Sequence, residues 1–210
     1  MIIIRANHDR PTNYLYDWSK EVIELAETKN MKVTKVENAE MTEKILRDRI
    51  NIEKPEFIFF NGHGNATSML NNKGEAFIST KSSDVFKDMI VFARACNCLV
   101  ELGKNSVSKG CRAFVGYRKS FWVVHDHVRD CSPLKDRIAK PIMDSSNAVA
   151  KEIIKGKTVT QAIFKSNQLT ADFMIELMHS SEPFAKATLY AMIVNDASLG
   201  FKGDPEARIG

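Results

Sequence analysis

Two stretches decide the fold: Glu56-Phe-Ile-Phe-Phe-Asn-Gly-His63-Gly64 and Met89-Ile-Val-Phe-Ala-Arg-Ala-Cys96-Asn-Cys98. Each is an apolar, β-favouring run that ends abruptly in a chemically active side chain. A half-exposed strand alternates apolar and polar residues; these runs have few polar positions. They suit strands buried on both faces, as in a parallel sheet covered by helices. In such sheets ligands and chemistry sit just past the carboxyl ends of the strands. If the two strands are neighbours, His63 and Cys96 emerge side by side on that rim. A thiol beside an imidazole is the minimum set for nucleophilic cysteine catalysis.

Outward from this pair, strands and helices alternate. Ile2 to Ile4 read as a first buried strand, followed by the polar loop Asn7-His8-Asp9-Arg10 and Pro11. Leu15, Trp18, Val22 and Leu25 recur at helical spacing, which predicts one helix over 12–29 with Asn30 on its C-terminal side. Residues 31–36 alternate as a second strand, and Thr42 caps a helix through Ile50. The third strand delivers His63. Asn71-Asn-Lys-Gly74 marks a turn in a small hairpin beside the site. After a short helix or turn at 83–88, the fourth strand delivers Cys96. A helix is then expected from Asn97, so that its N-terminal dipole would favour a Cys96 thiolate. Cys98 should turn inward to pack. Gly110 ends that helix, and 111–117 reads as a fifth strand. Residues 117–133 form a polar, aromatic loop, and helices are expected at 146–155, 160–179 and 183–196.

This alternation predicts an α/β fold, a three-layer α/β/α sandwich with a mostly parallel central sheet. One domain over 1–210 is expected, with the sheet core and its rim in 1–117 and a loop and mainly helical part in 118–210. The chain is 44% hydrophobic, enough for a sizeable core. Its net charge of +4 comes from 30 basic residues interleaved with 26 acidic ones, with no basic stripe, so nucleic acid is not an expected partner. No signal-peptide core and no membrane-length apolar run is visible, which points to a cytoplasmic protein without membrane contact. Cys96, Cys98, Cys111 and Cys131 are then reduced thiols. The full phosphate-binding motif Gly-x-x-x-x-Gly-Lys-Ser/Thr and the Gly-x-Ser-x-Gly elbow are missing, and no cofactor is expected. Cys96-x-Cys98 and His125-x-His127 lack the usual zinc-ligand spacing, and no metal is expected.

A strand ending in His63-Gly64, then one ending in Ala95-Cys96, resembles the caspase, gingipain, legumain and separase superfamily of cysteine peptidases (clan CD). Gly110-Cys-Arg-Ala-Phe-Val-Gly116-Tyr117 is similar to the next strand of gingipain-like and CHAT-domain members. Gly203-Asp204-Pro205 resembles the signature that closes many of them. The resemblance implies a cysteine endopeptidase with Cys96 as nucleophile and His63 as acid–base partner. The amides of Gly64 and Cys96 would form the oxyanion hole, and a thioester acyl-enzyme would follow. It implies a polypeptide substrate, and any regulator would be a separate protein chain. Pocket walls would come from His8, Asp9 and Arg10 and from 117–130. An acidic floor built from Asp9, Asp126 or Asp130, with Tyr117 alongside, would favour a basic residue before the scissile bond; a basic floor of Arg10 or Arg118 would favour Asp. The reading leans to the basic residue. Arg94 stands where caspases carry Gln and CHAT domains often carry Ser, a departure that is either tolerated or alters the pocket. Two other readings stay open: a catalytically silent caspase-like binding or signalling module, and an α/β hydrolase of other chemistry.

Overall fold

A computed structural model describes all 210 residues. The strands are β1 (Ile2–Arg5), β2 (Thr34–Glu37), β3 (Phe57–Asn61), β4 (Ser68–Leu70), β5 (Ala76–Ser79), β6 (Ile90–Arg94), β7 (Ala113–Tyr117) and β8 (Leu199–Gly203). The helices are α1 (Arg10–Trp18), α2 (Lys20–Thr28), α3 (Glu43–Glu53), α4 (Leu102–Ser108), α5 (Lys140–Ile154), α6 (Val159–Met178) and α7 (Ala185–Ser198). Six strands form one sheet in the order β2-β1-β3-β6-β7-β8, parallel except for β8, which runs antiparallel to β7. Strands β4 and β5 make a separate antiparallel hairpin.

The sheet is buried on both faces because alternate side chains of its strands enter two different cores. Ile58, Phe60, Val91, Ala93 and Phe114 face α3, α4 and the hairpin, meeting Leu46, Ile50, Leu102, Met69 and Ile78. Phe57, Phe59, Ile90, Phe92 and Val115 face α2, α5 and α6, meeting Val22, Ala26, Val149, Ile153 and Ala162. Phe59 stacks on Phe92 at 5.1 Å between ring centroids. The continuous apolar runs of the sequence are this two-sided burial written out, and the three-layer α/β/α sandwich with its mostly parallel sheet is present.

Several boundaries differ from the sequence reading. The single helix expected over 12–29 is two helices that meet at Ser19. Pro11 sits in the first turn of α1, where its missing N–H costs nothing. Asp9 is the N-cap, and Asp9 and Thr12 bond each other reciprocally in a capping box. Asn30 does close α2 in the left-handed region, with φ 58°. The C-terminal half is not helical throughout, since β8 extends the sheet. The turn at Asp204-Pro205 follows this strand.

The loop after β7 is held without strands of its own. Asp136 is buried and accepts from the Tyr14 hydroxyl at 2.8 Å and from the amides of Asp126, Ile138 and Ala139 at 2.8, 2.8 and 3.1 Å. One carboxylate thereby ties α1, the loop and the start of α5 together. Trp122 and Asn195 exchange two bonds of 2.8 Å, which pins the same loop to α7. Replacing Asp136 by Ala leaves buried donors without an acceptor, each worth about 1–3 kcal/mol. The variant should unfold at lower urea concentration than the wild type with an unchanged m-value; an unchanged midpoint would show that the loop does not need this anchor.

Candidate active site

The parallel register pairs Asn61 with Arg94 at the ends of β3 and β6, 33 positions apart. Two residues further along each strand lie His63 and Cys96, which keep the same offset. The Gly62 amide still reaches the Arg94 carbonyl at 3.4 Å, so the pairing carries on past the last ladder residue. Both side chains line one cleft of about 340 Å³ at the carboxyl edge of the sheet. Its other walls are the start of α1 (Arg10, Pro11, Tyr14, Leu15) and the loop residues Ser120 to Val123 with His125. Cys96 is partly exposed, while Cys98 is fully buried, as expected from its register. Burial pushes the Cys98 thiol far above the ordinary range, which leaves it an inert packing residue.

His63 is held from two directions. Its carbonyl accepts from the Leu70 amide at 3.0 Å, and the Asn65 amide bonds the Ser68 carbonyl at 3.0 Å, so the hairpin clamps the backbone behind the imidazole. Its Nε2 lies 2.6 Å from the Asp9 carboxylate. Partial burial pushes the Asp9 carboxyl up, but the bonds from Thr12 and His63 outweigh it and hold the group at about 2. A carboxylate at this position keeps the proton on Nε2 and leaves Nδ1 as the ring nitrogen free to accept one. The Gly64 and Cys96 amides donate to no other group of the chain. Gly64 must be glycine for a steric reason: a Cβ there would stand 2.4 Å from the Cys98 sulfur and 3.0 Å from the Ala95 Cβ.

Other expectations for the site are corrected. Cys96 is not at a helix N-terminus. Asn97 adopts a left-handed conformation with φ 59°, and α4 begins only at Leu102, so the macrodipole is not aimed at the thiol. Instead, the Asn97 amide bonds the Lys119 carbonyl at 3.1 Å and ties the Cys96 turn to the cleft wall. Asp9, Tyr117 and Asp126 do not line the cleft. Asp9 is committed to Thr12 and His63. Tyr117 is buried beneath the sheet edge with its hydroxyl 3.0 Å from the Ser146 hydroxyl. The Asp126 carboxylate accepts from the Val128 amide at 3.0 Å and caps a short turn.

Arg94 is the feature that the sequence reading marked only as a departure. It lines the cleft and is completely buried. It donates to Asn61 Oδ1 at 2.7 Å, Asn147 Oδ1 at 2.8 Å and the Leu15 carbonyl at 3.1 Å, all uncharged acceptors. Burial lowers its pKa to about 10, which leaves it cationic at neutral pH. Two groups of side chains have metal-ligand geometry. In His8, Asp9 and His63 the Asp9 carboxylate already bonds His63 at 2.6 Å and lies 3.7 Å from the His8 ring nitrogen. In His125, His127 and Asp130, one nitrogen of His125 and one oxygen of Asp130 are buried without a hydrogen-bond partner.

No family model matches the chain, and no curated protein matches it in sequence. Solved structures do. The crystal structure of the Arg-specific cysteine proteinase gingipain R superposes with a TM-score of 0.63 at 12% identity, over 99% of this chain and 46% of that one. The complex of the pro- and mature domains of Porphyromonas gingivalis RgpB gives 0.58 at 11% identity, over 98% and 47%. The chain shares the caspase-like fold of gingipain R. It spans about half the length of these neighbours. No helix is long and apolar enough to cross a membrane.

Two outcomes follow from the geometry. Gly64→Ala should lose about 1–3 kcal/mol through overpacking, read as a lower melting temperature, and Cys98→Ala in the same chain should restore part of it. The Asp9 carboxyl is depressed from 3.8 to about 2, so its contribution to stability is complete above the unfolded value and disappears as pH falls through the folded one. Acid titration followed by NMR should therefore find the Asp9 carboxyl still ionised at pH 3; a midpoint near 4 would show that the bonds from Thr12 and His63 are absent in solution.

Proposed function

We propose that the chain is a cysteine peptidase that hydrolyses peptide bonds through Cys96 and His63, with Asp9 orienting the imidazole. The observation that carries this reading is the meeting of His63 and Cys96 in one cleft, at equal height on neighbouring parallel strands, beside two amides with no other partner. The fold shared with cysteine proteinases supports it.

In this mechanism the Cys96 sulfur, its proton passed to His63, attacks the carbonyl carbon of the scissile bond. The S–C bond forms and the carbonyl π pair moves to oxygen, which takes hydrogen bonds from the Gly64 and Cys96 amides. As the tetrahedral centre collapses, the C–N bond breaks and His63 delivers its proton to the leaving amine. The product is a thioester on Cys96. Water, deprotonated by His63, then attacks the thioester carbon; the C–S bond breaks and the proton returns to sulfur. Asp9 stabilises the imidazolium that forms in each half of the cycle and fixes which nitrogen works. The substrate is a polypeptide. A preference for a basic residue, as gingipain R's Arg specificity would suggest, gains no support from a cleft that no carboxylate lines.

Cleavage of a fluorogenic peptide library tests the proposal. Cys96→Ala and His63→Ala should each remove at least ~1,000-fold of the turnover, on the scale of losing a nucleophile or its base. Asp9→Asn, which keeps the cap but weakens the hold on the imidazolium, should lower kcat more than it changes KM. Iodoacetamide should label Cys96 faster than Cys131 or the two buried thiols. Turnover that persists undiminished in Cys96→Ala would end the proposal.

A further inference from the structure

The loop after β7 carries a cluster that the peptidase chemistry does not use. Asp126 has extended backbone (φ −87°, ψ 116°), so its neighbours His125 and His127 project to one side of the chain, while its own carboxylate caps the Val128 amide. The short turn at His127–Arg129 then brings Asp130 back to the two imidazoles. Their rings stand edge to face, 4.9 Å apart between centroids. One ligand atom from each of His125, His127 and Asp130 lies within 4.8 Å of the other two. The spacing His-x-His-x-x-Asp carries no zinc signature in sequence; the turn is what makes it convergent.

Two of these atoms are left over by the fold. His125 Nε2 and Asp130 Oδ1 are buried and have no hydrogen-bond partner, an arrangement that costs free energy unless something else fills the gap. They face each other at 3.7 Å, too far for a hydrogen bond. Ligand atoms about 2.0–2.2 Å from a tetrahedral metal stand about 3.3–3.6 Å from one another, so the gap is close to one edge of such a site. The residues themselves are reachable: the His125 and Asp130 side chains are 21% and 27% exposed, and His127 is exposed. Their supports are already in place. Asp130 receives the Arg10 guanidinium on Oδ2 at 2.8 Å and the Asn13 side-chain amide on its carbonyl at 3.1 Å, and His125 packs on the Tyr14 ring. An outer partner such as Arg10 orients a ligating carboxylate. Arg10 also approaches His127 Nδ1 at 3.3 Å. A neutral imidazole has one lone pair, so a metal would take it from Arg10 and leave the guanidinium to Asp130.

We propose that His125, His127 and Asp130 bind a divalent transition metal of the zinc class. Two imidazole nitrogens and one carboxylate oxygen suit such an ion, with water in the fourth position, whereas calcium and magnesium take oxygen ligands. The ion acts as a staple. Asp130 is bonded to Arg10 and Asn13 of α1, and His125 lines the cleft that holds His63 and Cys96, so the metal fixes that wall of the cleft to the helix beside it. This site is separate from the reacting pair and stands whether or not the chain is a peptidase.

The test uses the full chain carrying Cys96→Ala and Cys131→Ala, so that no accessible thiol competes for metal. Calorimetric titration with zinc chloride should show one site with a dissociation constant on the order of 1 µM. Calcium and magnesium chloride should bind at least ~100-fold more weakly. His127→Ala, at an exposed position that leaves the core intact, should weaken zinc binding at least ~10-fold, as should His125→Ala. His8→Ala should change nothing, because in that other group Asp9 is already taken by Thr12 and His63. In the same chain labelled with 15N-histidine, zinc should move the ring signals of His125 and His127 and not those of His8, His63 and His179. That NMR readout needs no histidine variant to fold. Zinc binding weaker than ~100 µM, calcium bound as tightly as zinc, zinc binding undiminished in His127→Ala, or ring shifts confined to His8 and His63 would each overturn the proposal.

Discussion

The guanidinium of Arg94 is the constraint from which the upper edge of the molecule takes its shape. It stands at the last position of β6 and bonds the last residue of β3, the middle of α1 and the middle of α5. Asn147 completes the brace by donating to the Trp18 carbonyl at 2.8 Å. The region where α1 gives way to α2 thus has two of its carbonyls, those of Leu15 and Trp18, occupied by side chains from the sheet and from α5. In the same place the chain puts its reactive thiol two residues beyond Arg94 and its imidazole two residues beyond Asn61. Bracing and chemistry share one pair of strand ends.

Around this brace the site is assembled from parts that are individually ordinary. The hairpin supplies backbone partners to His63, and the Cys96 turn is tied to the loop after β7. That loop is in turn anchored by the buried Asp136 carboxylate and by the Asn195 pair. Asp9 does two things at once. As an N-cap it fixes where α1 begins, and with its second oxygen it fixes the imidazole. A capping carboxylate is already restrained by its helix, so it orients a partner at little further entropic cost. A site held by β-strand ends, a clamped turn and a capped helix is pre-organised, which suits chemistry that needs geometry to within a fraction of an ångström.

Much of the fold was legible in the chain because burial leaves a direct mark on composition. Phe57 to Phe60 and Ile90 to Phe92 have no polar alternation, and strands apolar throughout have few architectures open to them. The hairpin announced itself through Asn71 to Gly74, and Gly74 does take φ 76°. What misled was the local pattern at helix ends. The apolar spacing across 12–29 is continuous, so nothing in it marks the junction at Ser19, where tertiary bonds take up the carbonyls. Likewise Asn97 looked like a helix start, yet its left-handed backbone postpones α4 to Leu102. Asp9 carried a readable cap signal, three residues before Thr12 and beside Pro11. Its contact with His63 spans 54 positions, and no local pattern encodes it.

The sequence by itself determined which segments are buried strands and that a histidine and a cysteine follow two of them at matching distances. In a parallel sheet that spacing becomes register, and register becomes proximity, because hydrogen-bonded strands repeat at a fixed rise. Only the tertiary structure decided which charges face the cleft. Arg10, Arg94, Asp9, Asp126 and Asp130 are equally visible as letters, but whether a charge is compensated depends on where side chains from distant segments end. Electrostatic pairing acts over a few ångströms of space and is indifferent to chain distance. The spacing of the reacting pair could therefore be read along the chain, whereas the sign of the cleft could be read only in the folded molecule.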